Sequence, residues 1–159
     1  MNDKPHLSDF AIRHVQLLCS SFQTYTGRML IPDYKNLKAS ELAEILYHAP
    51  FVVVSHGTEA DPVFNYANLA AQALWKLSWQ DFVKLPSRYS AEPMMQAERD
   101  ALLKRAKTYG FIPDYTGVRI TSIGERFRIY DTILWNITDE NGLYHGQAAM
   151  FERWEFIHE

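Results

Sequence analysis

The side chains in this sequence with chemical potential are arginines, aromatics and a few polar residues set among apolar neighbours. None is arranged as a recognisable catalytic motif. The one cysteine, Cys19, and the serines and threonines lie outside any nucleophile motif, and there is neither a glycine-rich phosphate loop nor an HExxH helix. Arg88, Arg119, Arg126 and Arg128 each present the planar fork of donors that fits a carboxylate or phosphate. Arg119 is the best placed, because in an extended chain Tyr115 and Gly117 share its face. Arg126 and Arg128 also read as surface residues of a half-wet sheet, paired across strands with acids such as Glu152. Tyr66, Trp75, Tyr115 and Trp135 could stack on a flat ligand or close a solid core. Asn68, Asp131 and Gln147 stand among them, and a buried polar group needs a partner that a ligand can supply. Asn68 also has the type and place of a helix cap. The candidate ligand set is therefore Tyr66, Trp75, Arg88, Tyr115, Arg119, Asp131, Trp135 and Gln147. No catalytic residue is assigned, and an enzyme built here would have to use Asp131 with Arg119.

Metal binding has little support in the spacing. His56, Glu59 and Asp61 are close in sequence, but they belong to a polar turn that favours those residue types for its own reasons. His14 and His48 fall on helices, His145 lies beside an Asn-Gly turn, and none has the i, i+4 partner of a zinc helix.

The elements that must position these residues follow from periodicity. Leu7 to about Tyr25 reads as a helix, with Ser8 or Asp3 to cap it and Gly27 to stop it; Ala39 to Tyr47 reads as a second, ended by Pro50. Then the texture changes. Phe51–Ser55 and Val63–Tyr66 form a hairpin around Gly57 and Asp61-Pro62. Helices follow at Leu69–Leu77, at Ser78–Phe82 and from about Ala91 to Tyr109, with Gly110 as the stop. Three strands complete the chain at Asp114–Ser122, Arg126–Thr138 and Tyr144–Phe156, the last two joined by Asp139-Glu140-Asn141-Gly142. In the middle strand Phe127, Ile129, Ile133, Trp135 and Ile137 share one parity, and Asp131 interrupts them, as a bulge or a contact to a buried partner would. The expected fold class is α+β: a five-stranded antiparallel sheet with helices inserted between strands two and three, preceded by two leader helices. Residues 1–50 form the leader, packed on a domain of residues 51–159. A small ligand would sit between the sheet and the helices.

Composition agrees with one globular domain. The chain has 159 residues, of which 47% are hydrophobic and 22% charged. A net charge of −3 argues against a nucleic-acid partner. The longest apolar run, Phe51–Val54, is far short of a membrane span, and the polar start lacks the apolar stretch of a signal peptide. A cytoplasmic location is the expectation.

Two groups of residues carry a resemblance. Asp61-Pro62-Val63-Phe64-Asn65-Tyr66-Ala67-Asn68, followed by Leu74-Trp75-Lys76-Leu77-Ser78-Trp79-Gln80-Asp81-Phe82, resembles the start of a PAS sensor domain. Gly124-Glu125-Arg126-Phe127 and Asp139 to Gln147 look like the two hairpins of a PAS sheet. More closely, Ser55–Pro62, Leu85-Pro86-Ser87-Arg88 with Ser90–Pro93, and Tyr115–Ile120 are similar to the MEKHLA family, a PAS-like domain, over nearly the whole chain. The resemblance implies a non-catalytic sensory domain that binds a small molecule, or a ligand-free dimerisation module. PAS-like domains often dimerise through leader helices, so a homodimer through Leu7, Phe10, Leu17, Leu18 and Phe22 is expected. The cofactor stays unknown. Adduct-forming flavin domains need a cysteine after the short second helix, where this chain reads Leu85-Pro86-Ser87-Arg88-Tyr89-Ser90. Their glutamine would fall at Ala148, and Gln147 is one place off, which reverses the face in a strand. Haem-binding PAS domains use a histidine on the long helix, which here has none.

Overall fold

A computed structural model describes residues 3–93 and 96–158. Helix α1, Asp9–Thr26, is capped by Ser8, whose hydroxyl accepts from the Ala11 N–H, and ends at Gly27 in the left-handed conformation with φ 74°. Its residues Ala11, Val15, Leu18, Cys19 and Phe22 recur at helical spacing and are buried. Helix α2, Ala39–Tyr47, buries Leu42, Ala43, Leu46 and Tyr47 in the same way. The hairpin β1 (Val52–His56) and β2 (Phe64–Ala67) leads into α3 (Leu69–Trp75), α4 (Trp79–Phe82) and α5 (Gln96–Tyr109). Then come β3 (Phe111–Ile120), β4 (Arg126–Thr138), β5 (Tyr144–Phe151) and β6 (Arg153–Phe156). The strands form one antiparallel sheet in the order β2-β1-β5-β4-β3, with β6 also on β4.

The expected last strand is thus broken at Glu152 into β5 and β6. Both pair with β4 in one register, Ile133 opposite Met150 and Tyr130 opposite Arg153. In the gap, Asp131 of β4 has φ 50°, a left-handed conformation that a non-glycine residue adopts at a cost. That single residue turns the strand over. Before it, Phe127 and Ile129 pack with Val52, Val54, Trp75 and Phe151; after it, Ile133, Trp135 and Ile137 pack with Val15, Leu18 and Phe22 of α1. The shared parity therefore serves two cores on opposite faces of the sheet.

The leader helices cover one face and α3 to α5 the other. On the leader side Trp135 is wholly buried, donates its indole N–H to the Leu18 carbonyl at 3.2 Å and meets Phe22 edge-on at 5.0 Å. Burying a side chain of this kind contributes roughly 1.5–3 kcal/mol. Asn68 ties the layers together. Its Oδ1 accepts from the N–H groups of Val53 and Ala71, and its Nδ2 donates to the carbonyls of Leu46 and Phe51. It caps α3 while fixing the C-terminal end of α2 to β1, so all of its capacity is used by the protein.

Candidate ligand-binding cavity

A cavity of about 750 Å³ opens between the sheet and the helices α3 and α5. Its floor is the face of the sheet that carries Val54, Ile112, Ile129, Leu134 and Phe151, and Trp75 of α3 and Leu102 and Ala106 of α5 form the walls. These residues face the cavity because strand alternation and the Asp131 turn put them there. The rim is a strap of residues 86–93 that joins the two edges of the sheet. At the β2 end, Val63 pairs with Pro86 and the Ser87 N–H donates to the Pro62 carbonyl at 2.8 Å. At the β3 end, Ala91 pairs with Arg119 and the Glu92 N–H donates to the Val118 carbonyl at 3.3 Å. Trp75 supports the strap from below, its indole N–H reaching the Ser90 carbonyl at 3.4 Å.

Charge is not balanced around this cavity. Arg88 is held by both carboxylate oxygens of Asp61, at 3.0 and 3.1 Å, and lies over the Tyr89 ring. Glu92 is paired with Arg126. Arg119 has only neutral partners among the described residues: its Nη1 donates to the Tyr115 hydroxyl and to the Val118 carbonyl, both at 3.3 Å. Its guanidinium sits 5.3 Å from the centre of the Tyr115 ring. One half-buried cation is therefore left without a counter-charge at the rim of a cavity whose floor and walls are apolar, an arrangement that favours an anion. At the other end Gln147 and His56 face each other across β5 and β1. Gln147 Nε2 donates to Asn136 Oδ1 at 3.4 Å, and Asn136 donates to the Ala106 carbonyl of α5 at 3.1 Å.

Of the residues singled out by sequence, Trp75, Arg88, Tyr115, Arg119 and Gln147 line this cavity. Tyr66, Trp135 and Asp131 do not. Trp135 is turned to the leader side by the left-handed residue that precedes it. Tyr66 sits on the same side because of the irregular pairing where Ser55 meets Tyr66 and His56 meets Phe64; its ring meets Trp79 edge-on at 5.5 Å. The hydroxyl is buried without a partner among the described residues. Asp131 is an exposed residue 3.1 Å from Arg153, with 77% of its side chain accessible, so no Asp131–Arg119 pair is assembled at the cavity. Gln147 lines the cavity opposite His56, and its neighbour Ala148 is buried in the core under the leader.

Other expectations are resolved by partners. Glu59 accepts from the Val63 N–H, Asp61 holds Arg88, and His56 Nδ1 donates to the Gly57 carbonyl, so the three do not converge. Arg126 is engaged by Glu92 rather than Glu152. Buried His14 of α1 lies 2.8 Å from the Ser55 hydroxyl, and Ser55 donates to Asn65. Burial, with a lesser contribution from His145, pushes the His14 imidazole down to about 4. Contrary to the expectation that no histidine has an i, i+4 partner, Glu44 stands four residues before His48 on α2, and His6, distant in the chain, meets them.

The adduct-forming flavin arrangement does not fit these residues. The only cysteine, Cys19, lies under the leader on the far side of the sheet, and burial pushes its thiol up to about 12. Helix α5 has no histidine to hold haem iron. Among the described residues, no helix is long and apolar enough to cross a membrane.

Comparison with known proteins agrees with this architecture. The PAS domain of a protein from Colwellia psychrerythraea superposes with a TM-score of 0.60 at 13% identity, covering 74% of this chain and 94% of that one. A light-oxygen-voltage domain studied with a flavin analogue gives a TM-score of 0.56 at 13% identity, covering 75% and 86%. An RNA-binding light-oxygen-voltage receptor gives 0.59 at 19% identity, covering 76% of this chain and 34% of that one. At such identities the likeness is one of fold. Among curated proteins none matches the sequence. The family model for the MEKHLA domain matches residues 12–156, nearly the whole chain and across the boundary between leader and sheet. The protein therefore belongs to the MEKHLA domain family and has the fold of a PAS domain.

Proposed function

We propose that this domain is a cytoplasmic, non-catalytic sensor that holds a small molecule with an apolar body and an anionic group. The observation that carries this reading is the uncompensated Arg119 at the edge of a cavity of about 750 Å³ whose floor and walls are apolar. Cavities of about 300–1,000 Å³ take small-molecule ligands. Apolar burial supplies affinity, and one guanidinium fixes orientation by charge-assisted hydrogen bonds. Trp75 and Tyr115 offer ring faces to the body of the ligand; Arg88, neutralised by Asp61, shapes the rim, and Gln147 supplies a polar contact at the far end.

The test uses two dyes. Anilinonaphthalene sulfonate has an apolar aromatic body and one anionic group; Nile red has no charge. The expected result is saturable binding of the sulfonate, weakened at least tenfold by Arg119→Gln, with Nile red unaffected by that change. Equal loss of both dyes, or no loss of either, would remove Arg119 from the site.

A homodimer through the N-terminal helices belongs to the same proposal and has less surface than the sequence implied. Leu18 and Phe22 are spent within the protomer and Leu7 and Leu17 are half-buried against the core, which leaves Phe10, at 49% exposure, and Ile45, at 43%, as the most exposed apolar contacts of such an interface.

A further inference from the structure

We propose that His6, Glu44 and His48 form a binding site for a divalent transition ion of the zinc type, placed between the N-terminal turn and the end of α2. The site is separate from the cavity and stands or falls without it. His6 belongs to a 3-10 turn, Pro5–Leu7, while Glu44 and His48 are four residues apart on α2 and so lie one above the other on one helix face. One donor atom from each of the three residues falls within 4.8 Å of the others. His6 Nε2 is 2.6 Å from Glu44 Oε1, and His48 Nδ1 is 3.6 Å from Glu44 Oε2. Bonds of about 2.0–2.1 Å in a tetrahedral site separate donors by roughly 3.3 Å, so the donor separations need change by no more than about 1.5 Å to reach that geometry.

The surroundings favour a built site over a chance meeting of side chains. The His6 ring is buried and fixed in plane by Tyr47, with centroids 3.8 Å apart and planes 5° from parallel. Glu44 is the only polar partner of that ring among the described residues, because His6 Nδ1 is buried without one. The ring is thus aimed at the point where Glu44 and His48 meet. His48 Nδ1 donates to the Glu44 carbonyl at 3.0 Å, and that contact is the one an ion replaces. The contact of His6 with Glu44 alone would hold the N-terminal turn on α2 and has no need of a second imidazole. Glu44 and His48 side chains are 43% and 55% exposed, which leaves the fourth position to water. Two imidazoles and one carboxylate select zinc, copper or nickel over magnesium or calcium, whose sites are built from oxygen. Lys4 is the cation close enough to act on the Glu44 carboxylate, and its charge limits the affinity. A bound ion would staple the turn before α1 to α2, making the docking of the leader depend on metal.

The experiment is a calorimetric titration of the full chain with Zn²⁺ in a buffer that does not chelate, on wild type, His48→Ala and Glu44→Gln. Both changes fall on partly exposed residues, and unchanged metal-free melting establishes that the variants fold. The expected result is one Zn²⁺ per chain, at least tenfold weaker binding in each variant, and a zinc-induced rise in Tm that wild type shows and the variants lack. X-ray absorption of the wild-type complex should count two imidazoles. Absence of stoichiometric binding would overturn the site, as would an affinity unchanged in His48→Ala, which would assign the zinc to other groups such as His145 with Asp139.

Discussion

The ring of Tyr115 lies across Gly117, so close that a Cβ at residue 117 would stand 2.3 Å from the Tyr115 hydroxyl. The absent side chain is what lets the hydroxyl reach Arg119 Nη1 at 3.3 Å. Gly117→Ala should therefore drive Tyr115 off Arg119. The expected cost is about 1–2 kcal/mol of stability, typical of overpacking. Affinity for anilinonaphthalene sulfonate should change with it, while Nile red binding stays near wild type. If neither stability nor sulfonate binding moves, Tyr115 does not position Arg119.

Asp131 turns β4 over in a left-handed conformation, and its exposed pair with Arg153 gives little back. Glycine adopts that conformation without steric penalty, so Asp131→Gly should be neutral or stabilise the fold by up to about 1 kcal/mol in urea unfolding. Asp131→Val should destabilise by more than about 1 kcal/mol, because a β-branched residue resists positive φ. The reverse order would mean that Trp135 reaches the leader side by another route.

His14 stays neutral in the folded protein, with its titration lowered to about 4 from an unfolded value of 6.5. A depressed histidine contributes fully above pH 6.5. Its contribution is lost as pH falls from there towards 4, where the unfolded chain takes the proton and the folded one resists it. Relative to a His14→Gln variant, wild type should lose about 3 kcal/mol between pH 7 and pH 4. Parallel pH profiles for the two proteins would show that His14 titrates freely.

Asn68 satisfies two buried N–H groups and two carbonyls drawn from three separate segments. Asn68→Ala leaves these groups unpaired and should cost about 4 kcal/mol in denaturant unfolding, well beyond the roughly 1 kcal/mol of a lost helix cap. A loss of only 1 kcal/mol would mean that water replaces the side chain.

Much of this architecture is legible in the sequence, because its elements carry local signals. Ser8 and Gly27 bracket α1, and Asn141-Gly142 turns β4 into β5. The alternation of Tyr115, Gly117 and Arg119 places all three on one face without reference to the rest of the chain. The errors arise where a local signal is read past a break. Trp135 shares parity with Phe127, and only the backbone of Asp131, a residue that tolerates positive φ without announcing it, separates their faces. Tyr66 is misplaced for the same reason at the β1–β2 irregularity. Gln147 stands one place from the flavin-domain glutamine position, and its pairing opposite His56 sets its direction into the cavity. The strap of residues 86–93 and the approach of His6 to α2 are contacts between distant segments, and no spacing encodes them.

Arg119 is proposed to hold an anionic, largely apolar small molecule in the cavity. Native mass spectrometry of the wild-type protein purified from its own host, beside the Arg119→Gln variant prepared in the same way, tests it most directly. The expected result is a reproducible added mass on wild type, released on denaturation as an acid, and its loss from the variant with the fold intact. A wild-type protein that arrives at its bare mass, as monomer or as dimer, would contradict ligand sensing; a bare dimer would assign the domain to protein interaction instead.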